Sequence, residues 1–257
     1  MNLFYRKPDY VRQEGSVRYL DALHLSRPIS MPRAQLAIMA AFVVVGVIIG
    51  VNLYQGTVGS MQQTQQLSQA TVEENLARAV TYDLPVLPNL AGWEDQEILD
   101  SFTDAGYTIY NQTEEGAEGL SLIKLPSDVT LGDAATLYAK GVALLGASDA
   151  ARLLNGSWSF SLDRSDGESY AVKYADFSSA SIEAAISAAI ASQGFDPATT
   201  PEGGSGTDDV GNTYQTGTVE ANGTTYTWRV SATALSNKYD ISGLPESAVY
   251  VGIRMSA

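Results

Sequence analysis

Histidine occurs once in the 257 residues, as His24, and cysteine does not occur at all. Ser-His-Asp and Cys-His nucleophile systems, and zinc sites built on His or Cys, are therefore excluded from everything after the N-terminal tail. Ser121 precedes Lys124 by the spacing of a Ser-x-x-Lys string. Here that string falls on a run that reads as a β-strand, and its companion motifs are missing. Acidic residues next to glycine form two clusters, Asp163 to Glu168 and Asp208 to Asn212. They offer the oxygen ligands calcium takes, but not at the alternate positions of an EF-hand loop, so turn-forming roles are expected. No catalytic residue, metal site or cofactor is predicted, although a carboxylate pair acting on a glycan is a chemistry these residue types allow. Aromatic residues are the stronger binding candidates. Trp158, Tyr170, Tyr226 and Trp228 lie on neighbouring hairpins, where strand alternation puts Trp158 with Phe160 and Tyr226 with Trp228 on shared faces. Such rings stack on sugars, or else fill a core against helices.

The elements that must position these residues begin with Leu36 to Leu53, eighteen residues without a charge. A helix of that length reaches about 27 Å, close to the thickness of a bilayer interior, so residues 34–54 are expected to span a membrane. The first 33 residues carry six basic and three acidic groups, and no Lys or Arg follows the span until Arg78. Positive flanks stay inside, which predicts a cytoplasmic N-terminus and an extracellular C-terminal domain. The segment after the span offers no small-x-small cleavage site, so an uncleaved signal anchor is expected. Gly46-x-x-x-Gly50 would let two such helices approach, which makes a homo-oligomer through the span or the following stalk a possible state.

The part beyond the span holds nine basic and twenty-six acidic residues. That balance argues against nucleic acid, or a polyanion held by simple charge attraction, as the partner. Absence of cysteine in an exported chain fits the envelope of a Gram-positive bacterium. On that reading the sequons at Asn111, Asn155 and Asn222 are turn and strand-end residues.

Residues 55–82 are rich in Gln, Glu and Ala and read as a helical stalk or linker. A folded α+β domain then occupies 83–257. Its prolines at 85 and 88 are expected to forbid helix at the start, Glu94 to Ala105 has helical periodicity stopped by Gly106, and Leu120 to Leu125 is a strand. Asp133 to Leu154 supplies helix hinged at Gly146. Asp166-Gly167 and Asn222-Gly223 turns predict antiparallel β-hairpins over 157–177 and 214–233, packed with helices, of which Ile182 to Gln193 is one. At an offset of 56 residues Tyr170 and Lys173 lie against Tyr226 and Arg229, which suggests a duplicated helix-hairpin unit. Residues 197–212 read as a flexible Gly-rich loop, and 248–255 as a closing strand.

The run from Leu87 to Glu115 resembles the first half of a PASTA module, through Pro88, Asn89, Leu90, Gly92, Leu99, Gly106 and Tyr107. The second half departs, since no valine-rich closing hairpin follows Gly119. The resemblance implies a single-pass envelope protein associated with peptidoglycan fragments. Taken together, the expectation is a non-enzymatic, membrane-anchored binding or scaffold protein of the cell envelope, whose partner is a wall component or another envelope protein. The alternative is a transmembrane signalling or regulatory subunit whose cytoplasmic tail, residues 1–33, docks a partner.

Overall fold

The computed structural model describes residues 69–78 and 82–257. The expected span and tail lie outside the described residues, and among those described no helix is long and apolar enough to cross a membrane. Eight antiparallel strands form one sheet in the order β1-β2-β3-β4-β8-β7-β6-β5. They run over Ile109–Asn111, Gly119–Lys124, Trp158–Asp163, Ser169–Asp176, Ser205–Thr207, Thr213–Ala221, Thr224–Ala234 and Val249–Ser256. The Asx-Gly turns close their hairpins as expected, and Asn222 and Gly223 both take positive φ, the backbone a two-residue hairpin turn needs. The last strand is less predictable. It slots between the hairpins, pairing Met255 with Tyr170 on one side and Trp228 on the other, and so turns two hairpins into one continuous sheet.

One face of the sheet carries the larger core. Leu122, Trp158, Phe160, Tyr170, Val172, Trp228, Val230 and Ile253 pack there against α2 (Leu87–Leu90), α3 (Asp95–Asp104) and α6 (Ile182–Gln193). The prolines near 85–88 do not forbid helix outright. Pro88 sits in the first turn of α2, where its missing N–H has no partner to lose. Helix α3 opens on a reciprocal cap between Glu94 and Glu97, and α6 opens on Ser181 and stops at Gly194 in the left-handed region. The buried Gln193 joins α6 to the proline-rich segment, accepting from Leu87 N at 2.8 Å and donating to Pro85 O at 3.0 Å.

The opposite face is covered only in part. A smaller core joins Ile123, Leu125, Ala175 and Ala248 of the sheet region to α4 (Leu131–Lys140), α5 (Ala147–Leu154) and α7 (Leu235–Lys238). The helical stretch 133–154 breaks earlier than its sequence suggests. Gly141 takes positive φ, a single 3-10 turn follows at Val142–Leu144, and α5 starts after Gly146. Residues 197–212 are more ordered in their pairing than a linker. They contain a 3-10 turn at Pro197–Thr199 and the edge strand β5, and Asp208 closes the tip by accepting from the Val210 and Asn212 amides.

Residues 69–77 form a helix, α1, that is fastened to this second layer. Arg78, just past it, pairs with Asp128 and donates to Arg152 O at 3.0 Å, while the buried Asn155 amide donates to Asn75 O at 2.9 Å. This part of the expected stalk therefore belongs physically to the domain, and Asn155 acts as a buried strut.

The proposed duplication does not carry through. The helix before the first hairpin, α5, lies on one face and the helix before the second, α6, on the other, yet Tyr170 and Tyr226 point into the same core. A rotation that exchanged the helices would also exchange the faces of those tyrosines, so no single operation superposes both features.

Asp176 ends β4 as a buried carboxylate. Burial pushes its pKa up, but four bonds from the amides and hydroxyls of Ser178 and Ser179 outweigh that and hold it below the usual value. Its unfolded pKa is higher, so its contribution to stability is full above about pH 4 and is lost as pH falls through the lowered folded value. Melting curves of the native protein and Asp176→Asn across pH 3–7 test this. The variant is expected to be less stable at neutral pH, with the gap closing in acid; a constant gap would remove the assignment.

Candidate functional site

The site lies where the second helical layer stops halfway across its face of the sheet. Moving along the strands, register places Ala175, Tyr250 and Thr233 under or beside the layer. The next row, Ser159, Lys173, Gly252 and Ser231, is beyond it. At this step a cavity of about 280 Å³ opens, lined among others by Tyr138, Tyr239, Tyr250, Lys173, Ser159 and Gln112. Each of the tyrosines comes from a different element: Tyr138 from α4, Tyr239 from the end of α7 and Tyr250 from β8.

Ring packing fixes these side chains. Tyr138 stacks on Tyr110 at 5.8 Å between centroids, and Tyr239 meets Tyr250 edge-on at 5.9 Å. Lys238 lies 5.6 Å over the Tyr250 ring. Burial raises the pKa of all three phenols, and the neighbouring phenols push Tyr138 and Tyr250 up further; at Tyr239 a hydrogen bond with Tyr250 works against the rise. All three hydroxyls consequently stay protonated through the physiological range and serve as neutral donors and acceptors. Lys173 adds an ammonium with no carboxylate within 4 Å among the described residues. Among the described residues no acidic side chain lines the cavity. Chemically the arrangement can grip hydroxyls, flat polar surfaces and one negative group, and it lacks the carboxylate pair a glycosidase needs.

Of the aromatic residues singled out by sequence, Trp158 is among those lining this cavity, while Tyr170, Tyr226 and Trp228 lie elsewhere. Trp158, Tyr170, Tyr226 and Trp228 are 1, 0, 3 and 0 % exposed and belong to the main core. They cannot form an accessible stacking platform as they stand, because α3 and α6 cover them. Tyr170 and Tyr226 instead donate to one oxygen of Glu168, at 3.0 and 2.9 Å, which locks the ends of β4 and β7 together. Ser121 and Lys124 point to opposite faces of β2, and Lys124 donates to Gly156 O. Asp163 is used by the Ser165 turn and Asp208 by its own loop and Arg229. Among the described residues no group of three or more His, Asp or Glu side chains could hold a metal.

Tyr138, Lys173, Tyr239 and Tyr250 carried no sequence signal as a set. Their separations follow from the crossover of β8 between the hairpins, which no local pattern announces. The PASTA-like stretch folds as helix then strand, but its strand is the edge of this eight-stranded sheet. No family model matches the chain, and neither a curated protein nor a solved structure shows a significant similarity to it.

Proposed function

We propose that this chain is a single-pass, membrane-anchored protein of a bacterial cell envelope whose exported domain binds a wall component without transforming it. The observation that carries the reading is the cavity beside Tyr138, Tyr239 and Tyr250, walled by neutral hydroxyls and aromatic rings and free of carboxylates. Aromatic walls with a few convergent polar groups suit a sugar ring, and burial, by raising the phenol pKa values, keeps these three hydroxyls protonated near pH 7. The charge-free run at 36–53 and its basic inner flank support the anchor and its orientation, with the N-terminus cytoplasmic.

The test is calorimetric titration of the full chain in lipid nanodiscs with soluble peptidoglycan fragments. Tyr250→Phe removes one hydroxyl and keeps the ring, and Tyr138→Ala removes a wall. Saturable binding weakened roughly tenfold by the first and lost with the second is expected, from the loss of about one buried hydrogen bond and of a packed ring. Binding unaffected by both variants would overturn this cavity as the site.

A second reading, signalling across the membrane, has its own supporting contact. Leu154 of α5 lines the cavity, and Asn155, next to it, holds α1. A ligand that shifted α5 would therefore pull on the segment leading to the span. Deleting residues 1–25 separates the readings: a binding module keeps its cellular role, whereas a signalling subunit loses it.

A further inference from the structure

The uncovered half of the sheet continues directly from the cavity. Beyond the row of Ser159, Lys173, Gly252 and Ser231 comes a row in which Ser121, Ser161, Ala171, Arg254, Arg229 and Thr216 are register partners. In this row the side chains apart from the cations are no larger than Ser or Thr, so it is a low trough, with Ile123 and Tyr214 of the preceding row standing at its two sides. Three of the nine basic residues beyond the span stand on it, in a region that holds twenty-six acidic ones.

Two of them stand at a cost. Arg254 and Arg229 are direct cross-strand partners, and like charges placed opposite one another destabilise a sheet. Arg229 is held by Asp208 at 2.8 Å and by the Tyr214 ring 4.0 Å beneath its guanidinium. Arg254 is tethered only through Nε to Ser169 Oγ at 3.0 Å, with no carboxylate within 4 Å among the described residues. Asp163, in the adjoining row, is engaged by Ser165 and is also stabilised as a carboxylate by the Arg254 charge, but it makes no ion pair within 4 Å among the described residues and leaves the terminal nitrogens of Arg254 without a hydrogen bond. A repulsive pair whose outer member keeps its terminal nitrogens uncommitted is arranged for an oxyanion from outside.

Resting on the sugar-binding reading of the cavity, we infer that the ligand is an anionic glycan, a hydroxyl-rich polymer bearing phosphate or carboxylate, which runs from the tyrosine cavity across the trough onto Lys173, Arg254 and Arg229. The overall acidity of the domain does not oppose this. At physiological salt, charges beyond about 8 Å are largely screened, so a bound strand feels the three cations beside it more than the distant acids.

The experiment titrates the full chain in nanodiscs with four probes: a neutral amino-sugar oligosaccharide, a uronic-acid oligosaccharide, a phosphate-bearing wall polymer and inorganic polyphosphate. At least one anionic glycan is expected to bind about tenfold tighter than the neutral one. Arg254→Ala should erase that advantage, Arg254→Lys should restore part of it, and raising salt from about 50 to 200 mM should weaken it steeply. Both substitutions are at an exposed side chain, and circular dichroism checks that the fold is kept. The uronic and phosphate arms decide which oxyanion is read. Equal, salt-independent binding of neutral and anionic glycans would overturn the anionic inference and leave the sugar-binding reading standing. Polyphosphate binding as tightly as any glycan, with Tyr250→Phe silent, would overturn the glycan assignment. No binding of any probe would overturn the reading beneath it.

Discussion

Trp228→Ala is expected to lower the stability of the domain by about 3–5 kcal/mol, the range for emptying a large aromatic from a packed interior. The ring is fully buried and lies flat on Phe195 at 5.0 Å with 5° between the planes. Its Nε1 donates to Thr218 O at 3.2 Å, so truncation also strips a partner from that carbonyl. The pocket cannot collapse easily. Gly217 already lies against the indole, where an added Cβ would come within 2.4 Å of Cζ2, and Met255 and Val230 are held by the two ladders that flank β7. Urea unfolding followed by circular dichroism gives the number, and a loss below about 1 kcal/mol would show that the neighbours close the hole. The result bears on function: with α6 covering the indole, any loss of ligand binding in this variant reports loss of fold. Variants at Tyr250 and Lys173 are the ones that report on the site.

That contrast marks how far the sequence could be read. Most strands, the hairpin turns and the glycine stops of α3 and α6 were legible because each is specified locally: Asn222-Gly223 by its positive φ, Gly106 and Gly194 by their left-handed stops. The large aromatics were legible as a group but not in role. Period-two alternation says that Tyr226 and Trp228 share a face; it does not say whether a helix lies over it. That depends on α6 crossing the sheet, which is a tertiary fact. Loop 197–212 misled for a related reason. Its Gly, Thr and Asp content matches a linker, yet Thr199 Oγ1 accepting from Thr218 N and the pairing of β5 with β6 draw it into the sheet edge.

The candidate site was illegible as a unit. Tyr138, Lys173, Tyr239 and Tyr250 span more than a hundred residues and meet only because β8 inserts beside β4 and the second helical layer ends one row short of Lys173. The acidic composition argued against anionic partners, but a sum over the chain cannot register where the cations stand. Arg254 opposite Arg229 is a pairing that exists only in the sheet. The absence of Cys and the lone His24 bear on composition alone, and so could be read without any fold.

Gly119→Ala is the substitution expected to do the most damage for the fewest atoms added, about 3 kcal/mol or more. Gly119 opens β2 at φ +143, a region that L side chains avoid, and pairs with Asp163 on β3. A Cβ there would lie 2.0 Å from Leu162 O and 2.8 Å from Leu162 C. Both atoms are backbone, so no rotamer change relieves the clash, and β2 must part from β3 where Leu120 and Leu162 are buried side by side in the core. Gly116→Ala is the matched control. It too has positive φ, at +81, but nothing lies within 4 Å of the added carbon, so only the conformational cost of about 1 kcal/mol is expected. Urea midpoints of the two variants measured side by side separate steric contact from backbone strain. If they fell together, the close approach of β2 to the Leu162 carbonyl would carry no weight, and the start of β2 would have to be free to shift without disturbing the core. If Gly119→Ala falls well below Gly116→Ala, that approach is what keeps β2 in register, and with it the row of Ser121 and Ser161 at one end of the proposed trough.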